Sequence, residues 1–323
     1  RLMVMKTPIE SSFMKNLCDH MNAEIEAGTV TNLREAVIWI QYTYMYIRMR
    51  KNPLVYGISN EERMRDPSLF LKCEELVTDT AHKLDAAHMA RFDAETGNLF
   101  PTDLGRIASH FYIGFETIQV INEKLDDVAS LKTVLTIIAM SQEFQSIKVR
   151  DEEITELTEM KRACCHVAQD AKLDDEYTKT LILLQGFIAQ WEPREATLFS
   201  DFNFISQNAG RITRALFEIC IQRGWASSAL LVLNLAKSLE RRMWFTDHPL
   251  LQVPIHRDVL ARIVKCRLSL DDLRDMDVDE ISAYLDQRAL GPAVKRLVRM
   301  IPYYEVTGEL QPVTSSIIRV TVR

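Results

Sequence analysis

The chain has 323 residues, 47% of them hydrophobic and 26% charged, with a formal net charge of −6 and only 10 glycines and 10 prolines. That balance excludes a disordered or turn-dominated chain, and it excludes a protein that holds nucleic acid by bulk positive charge. No apolar run reaches the roughly 18 residues of a membrane span, no signal-peptide pattern is present, and the length suits two or three small domains.

Thr7-Pro8-Ile9-Glu10 has a capping residue, a first-turn proline and a box-closing glutamate, so it predicts a helix ending before Gly28. Asn32 with Glu35 caps a second, aromatic-rich helix over Ala36 to Arg50, stopped at Asn52-Pro53. Its Trp39, Tyr42, Tyr44 and Tyr46 read as packing residues, and Arg48, Arg50 and Lys51 lie at its basic end. Asp66-Pro67 begins a third helix toward Ala90. The alternations around Asp93 to Gly97 then predict a hairpin, giving the outline of a winged helix.

Thr102 caps the next helix, Asp103 to His110, which leads into the following domain. From Phe115 to Leu239 the pattern is of consecutive amphipathic helices, with breaks near Asp126-Asp127, Asp170 to Glu176 and Glu192-Pro193-Arg194. Shorter helices follow from His248 to Pro302, two of them flanking Arg288-Ala289-Leu290-Gly291-Pro292, which resembles a helix-hairpin-helix turn. Beyond Pro302, β-branched residues alternate, predicting the first strands of a β-sandwich. The start at Arg1 and the strand-like end at Ile317 to Val322 read as cuts in a longer protein.

Catalytic signatures are lacking. No G-x-x-x-x-G-K-[ST] loop occurs, nor G-x-S-x-G or H-E-x-x-H. Asp151-Glu152-Glu153-Ile154 imitates a D-E-x-H box without its fourth polar residue and reads as a solvated charge run. Acid also gathers at Asp174-Asp175-Glu176 and from Asp271 to Glu280. The six cysteines form no C-x-x-C pair, and Cys164-Cys165-His166 has no tetrahedral spacing, so reduced thiols and no metal are expected.

The segment Ser200 to Gln222 carries the clearest contact pattern. At roughly 100° per residue, Asn203, Gln207, Arg211, Arg214, Glu218 and Gln222 share one side of a helix, while Ile205, Ala209, Ile212, Leu216 and Ile219 share the other. Such a row of amides and guanidinium groups suits a single strand, Arg on phosphates and Asn or Gln on bases and sugars. Periodicity alone favours an ordinary amphipathic surface helix, and it is the Asn, Gln and Arg composition that points to contact. A weaker candidate is the turn at Gly291-Pro292, whose helix-start amides and Lys295, Arg296 and Arg299 could seat a phosphate.

Tyr42 to Ile58 (YTYMYIRMRKNPLVYGI) closely resembles the winged-helix segment of the large Ski-family superfamily-two helicases. Leu104 to Ile113 (LGRIASHFYI) looks like the start of their SEC-type domain, and Gln207 to Ile219 (QNAGRITRALFEI) is similar to their ratchet helix. Asn234 to Trp244 and Leu310 to Thr314 fit as well, in the family's order over nearly the whole chain. Asn22-Ala23-Glu24-Ile25, Gly28 to Asn32 and Ile147 to Glu153 look nearer the signal-cointegrator and ribosome-quality-control branch than the spliceosomal two-cassette branch.

The resemblance implies a mainly α chain: a winged helix over 1–112, a helical bundle over 113–246 with the ratchet helix at 200–222, a helix-hairpin-helix domain over 247–302, and the start of an immunoglobulin-like sandwich over 303–323. It implies a parent ATP-dependent 3′–5′ helicase whose RecA domains bind ATP and Mg, with the winged helix as hinge and the ratchet helix crossing the strand. Its expected partners are single-stranded RNA or DNA, the RecA domains of the same polypeptide and protein subunits of a larger complex, in the nucleus or cytoplasm and without a membrane. On this reading Asn203, Gln207, Arg211, Arg214 and Glu218 contact the strand and nothing here is catalytic. The alternative is a protein-interaction scaffold from a catalytically quiet cassette.

Overall fold

The computed structural model describes residues 9–167, 169–173 and 175–323. The chain forms two compact units, Arg1–Trp244 and Phe245–Arg323. It is mainly α, with two short antiparallel hairpins.

The first helix starts later than its proline suggests. Thr7 and Pro8 lie outside the described residues, and a 3-10 turn at Phe13–Asn16 leads into α1 (Leu17–Glu26). Glu10 caps nothing. Its carboxylate accepts hydrogen bonds from the Arg48 guanidinium (2.7 and 3.1 Å), Asn52 Nδ2 (2.9 Å) and the Tyr56 hydroxyl (3.0 Å). Those bonds, led by Arg48, hold its pKa at about 2 against an ordinary 4.5.

The single helix expected over Ala36 to Arg50 is two, α2 (Leu33–Gln41) and α3 (Tyr44–Lys51). Asn32 caps α2 as expected, accepting from Glu35 N at 3.0 Å. Thr43 breaks the run: its backbone is extended, and its hydroxyl oxygen accepts from Tyr46 N at 3.3 Å to cap α3. The break turns Tyr42 and Tyr44 outward, so these two aromatics are exposed rather than packed, while Arg48 is buried against Glu10.

A short helix that the sequence reading missed, α4 (Asn60–Arg65), carries a full Ser59–Glu62 capping box. α5 (Phe70–Ala86) starts after Asp66, whose carboxylate accepts from Leu71 N at 2.7 Å. The expected hairpin follows as β1 (Ala90–Asp93) and β2 (Asn98–Pro101), paired Ala90 to Pro101 and Asp93 to Asn98. A bridge from Asn98 to Asn32 ties it to the start of α2 and completes the winged helix.

Thr102 caps α6 (Asp103–Phe111) through Gly105 N at 3.0 Å. A β carbon on Gly105 would lie 1.9 Å from Met89 O and 2.6 Å from Asn22 Oδ1, so only glycine allows this close approach. Asn22 Nδ2 donates to Gly105 O at 2.9 Å across the same contact.

The bundle continues through α7 (Phe115–Lys124), α8 (Leu131–Ala139), α9 (Ile154–Cys164), α10 (Thr178–Ile188), α11 (Ala196–Gln222) and α12 (Ala226–Arg241). All three expected breaks separate helices, although Asp174 lies outside the described residues. An unforeseen break at residues 140–153 contains 3-10 turns at Gln142–Phe144 and Asp151–Glu153. One hydrophobic core runs from the winged helix through the bundle.

The solvated-face reading of Asp151-Glu152-Glu153 fails at Glu153, which is fully buried. Lys179, also fully buried, donates to Glu153 Oε2 (2.5 Å), Asp201 Oδ2 (2.6 Å) and Lys148 O (2.9 Å). Arg150 closes the cluster on Glu153 Oε1 at 2.7 Å. Burial works against the Glu153 charge, but bonds from Lys179 and Arg150 help overcome it and keep the carboxyl below its ordinary range. The cluster joins the 148–153 loop, α10 and α11.

The second unit holds α13 (Arg257–Lys265), α14 (Leu270–Asp275), α15 (Val278–Tyr284) and α16 (Leu290–Met300) around Leu250, Ile263, Leu273, Ile281, Val294 and Val298. Gly291 starts α16 where a β carbon would meet Ser282 Oγ at 2.1 Å and Val278 O at 2.3 Å, so it sets how closely α16 lies on α15. β3 (Gly308–Pro312) and β4 (Ile318–Val322) pair antiparallel, with Leu310, Ile318 and Val320 exposed.

Two stability outcomes follow. Glu10→Gln should lower the melting temperature by a constant amount above pH 4.5, with the difference from wild type vanishing as pH falls to about 2, because a depressed carboxyl pKa stabilises only while ionised. Melting curves from pH 7 to 2 check this. Lys179→Ala, which strands a buried carboxylate, should cost about 3–5 kcal/mol in urea unfolding, and Lys179→Met with Glu153→Gln should cost less.

Candidate nucleic-acid interface

The candidate contact row is set by what holds α11. The backbone entering it is held from another helix: Glu156, buried on α9, accepts from Arg194 N at 2.8 Å and Glu195 N at 3.1 Å, just before the first turn. Burial opposes the Glu156 charge, and those backbone donors outweigh it, keeping its carboxyl below the ordinary range. Ile205, Ala209, Ile212, Leu216 and Ile219 are all buried, as their spacing predicts.

On the other side, Gln207, Arg214, Glu218 and Gln222 are exposed, and Asn203 and Arg211 are half-buried. From Asn203 to Gln222 the row runs about 28 Å at helical rise. Arg214 pairs with Glu240 on α12 at 3.1 Å, with both side chains largely open to water, so the pair is weak and readily exchanged.

Arg211 is placed differently. Its Nη1 donates to Phe111 O at 2.8 Å and to Tyr112 O, and its Nη2 donates to Asn208 Oδ1 at 2.9 Å. The guanidinium therefore closes the C-terminus of α6, a hundred residues away in sequence.

An open cleft of about 700 Å³ lies at the C-terminal end of α11, floored by Leu104, Ile107 and Ile219 and rimmed by Asp103, Asp126 and Asp127. Arg223 at its wall donates to Asn122 Oδ1 and stacks over Trp225 at 4.9 Å, and burial pushes its guanidinium pKa down. The carboxylate rim disfavours phosphate there, although Gln222, the last residue of the row, also lines the cleft.

In the second unit the three expected phosphate contacts are not equivalent. Lys295 Nζ donates to the carbonyls of Leu273 (3.3 Å), Arg274 (2.7 Å) and Met276 (2.5 Å), closing the end of α14. Arg296 and Arg299 are exposed on α16.

Residues 101–323 match the family model of the Sec63 Brl domain, and residues 10–90 match that of a winged helix-turn-helix domain. The chain belongs to the Sec63 Brl family. Human activating signal cointegrator 1 complex subunit 3 is 42% identical over 324 residues, covering 99% of this chain and 15% of that protein. A DExH-box ATP-dependent RNA helicase of Arabidopsis thaliana is 39% identical over 99% of this chain and 15% of its own length. The RQC trigger complex helicase of Saccharomyces cerevisiae is 36% identical over 99% of this chain and 16% of its own length. The chain thus spans about 15% of the length of the curated relatives it matches. These relatives agree with the helicase resemblance and with its signal-cointegrator and ribosome-quality-control branch.

Within this Sec63 Brl chain, residue types and periodicity marked the α11 row, but nothing local to Arg211 or Lys295 signals their carbonyl partners. Tyr112, exposed beside Arg211, carries no local signal beyond its place in the LGRIASHFYI motif. If Lys295 serves the fold, Lys295→Ala should destabilise by about 2 kcal/mol in urea unfolding. Arg296→Ala should stay within about 0.5 kcal/mol of wild type in the same assay.

Proposed function

We propose that the chain is a non-catalytic module of an ATP-dependent 3′–5′ helicase, guiding single-stranded RNA or DNA past a RecA motor in the same polypeptide. The observation that carries this reading is the row on α11. One face of a 27-residue helix is packed, and the other offers Gln207 and Arg214 to solvent with Asn203 and Glu218 flanking them. The names of the similar proteins, which include an ATP-dependent RNA helicase and a helicase of the RQC trigger complex, support it.

On this reading ATP and Mg are bound by the motor domains, and these residues supply strand contacts only. The row is close to neutral, since Arg211 and Arg214 are matched by Glu218 and Glu240, so the grip comes from amides and shape rather than counterion release. A neutral grip suits a strand that must slide. No helix among the described residues is long and apolar enough to cross a membrane. The expected setting is the nucleus or cytoplasm, among protein subunits of a larger complex.

A second reading, a docking scaffold, is favoured by one observation. The winged helix exposes Ile38, Tyr42, Tyr44, Ile47, Leu54 and Val55 from α2, α3 and the turn after them. Such a face suits a protein surface, and on the first reading it belongs against the RecA domains.

Gln207→Ala with Arg214→Ala in the full-length protein should lower strand unwinding about tenfold or more while leaving ATP turnover without nucleic acid within twofold. Parallel unwinding and ATPase assays measure this. Unchanged unwinding overturns the strand-guiding role and favours the scaffold.

A further inference from the structure

We infer that Tyr112 is a base-stacking residue and that Arg211 acts on the strand only by positioning it, an inference that rests on the strand-guiding reading above. Tyr112 caps α6 in the left-handed region, at φ 53° and ψ 49°. L side chains disfavour that backbone, and glycine usually occupies such helix ends. A large aromatic there, 82% exposed, has no apolar packing to justify it. Six other non-glycine residues also take positive φ, so the conformation alone singles out nothing.

The second observation is where this turn is tied. The Arg211 guanidinium donates to the carbonyls of both Phe111 and Tyr112, and Asn208 holds its other nitrogen. Asn208 is anchored in turn by Nδ2 to Phe204 O at 2.9 Å. Tyr112 is thereby fixed against the middle of the α11 row, between the levels of Gln207 and Arg214. A tyrosine ring extends roughly 6 Å from its α carbon, about the length of one helical turn. Three of the five guanidinium N–H donors are bound within the protein, which fixes the side chain in place, whereas an open ring offers a face to any base.

Near this turn the chemistry also suits an unpaired nucleobase. Arg106 and His110 are exposed on α6, and the carboxylate-rimmed cleft lies about two to three turns farther along α11, toward its C-terminal end. Phe204, a neighbouring exposed aromatic, already packs edge-on against Phe144 at a centroid distance of 6.1 Å, and the exposed Phe199 lies more than three turns of α11 before Arg211, so Tyr112 is the open ring at the level of Arg211.

The test is equilibrium binding of the full-length protein to a single-stranded oligonucleotide and to the same strand made abasic, at several salt concentrations. Tyr112→Gly removes the ring and relieves the backbone. Its melting temperature should not fall, its affinity for the normal strand should drop roughly five- to a hundredfold, and its affinity for the abasic strand and its salt slope should not change. Arg211→Ala should weaken normal-strand binding alone but add little in the Tyr112→Gly background. Equal binding of both strands by wild type and Tyr112→Gly overturns the stacking role. Additive losses with a shallower salt slope for Arg211→Ala return that guanidinium to a phosphate. If wild type binds neither strand, the strand-guiding reading falls, and this inference falls with it.

Discussion

A β carbon on Gly105 would sit 1.9 Å from the carbonyl oxygen of Met89, and the absence of one lets α6 lie directly on the hairpin and on α1. The Asn22 amide seals that contact with a hydrogen bond to Gly105 O. The rest of the larger unit follows from it. α6 belongs to the winged helix by its N-terminus, through Thr102, and to the bundle by its C-terminus, through Arg211 on α11. A helix shared in this way makes one continuous core of two sequence-distinct segments. It also fixes the distance between the winged helix and the polar row. Any larger side chain at residue 105 would therefore shift the row as well as loosen the wing.

The parts of this architecture legible in the sequence were those encoded locally. Asn32 and Thr102 announce their caps within three residues, and the hairpin around Gly97 is bounded by its own alternation. The buried stripe of α11 is a period that any window over it displays. What escaped notice depends on partners far away. Thr43 splits a helix that propensity alone would continue, because a threonine hydroxyl competes for backbone donors. Glu10 has the right offset from Thr7 for a capping box, yet a buried arginine 38 residues on claims it. Lys179 left a faint trace, a lone cation in the apolar run Thr178 to Ile188, and a cation so placed needs carboxylates from elsewhere.

The same distinction governs the candidate site. Residue type and spacing identified the face of α11, but they assigned every arginine on it the same task. Arg214 and Arg211 are three residues apart. One makes a solvent-exposed pair with Glu240, and the other is bound into the end of α6. In the second unit Lys295 and Arg296 divide in the same manner, one closing a helix end and its neighbour open to water. Charge identity read from sequence overstates how many cations are free, because the open carbonyls of helix C-termini attract them too.

A near-neutral row on an acidic body handles a strand differently from a basic groove. A protein that held its strand by phosphate neutralisation would resist each step of a motor, since every advance breaks several charge pairs at once. On the strand-guiding reading, α11 offers one loosely paired arginine and amides that exchange with water, and the end of α6 adds a ring whose stacking is indifferent to sequence. Each contact is individually weak and is remade at the next nucleotide. The strongest bonds in the region, those of Arg211 and of the Lys179 cluster, are spent within the protein on keeping α11 in place. Rigidity of the track and looseness of the grip thus come from separate sets of residues, which lets a strand slide over a helix that does not move with it.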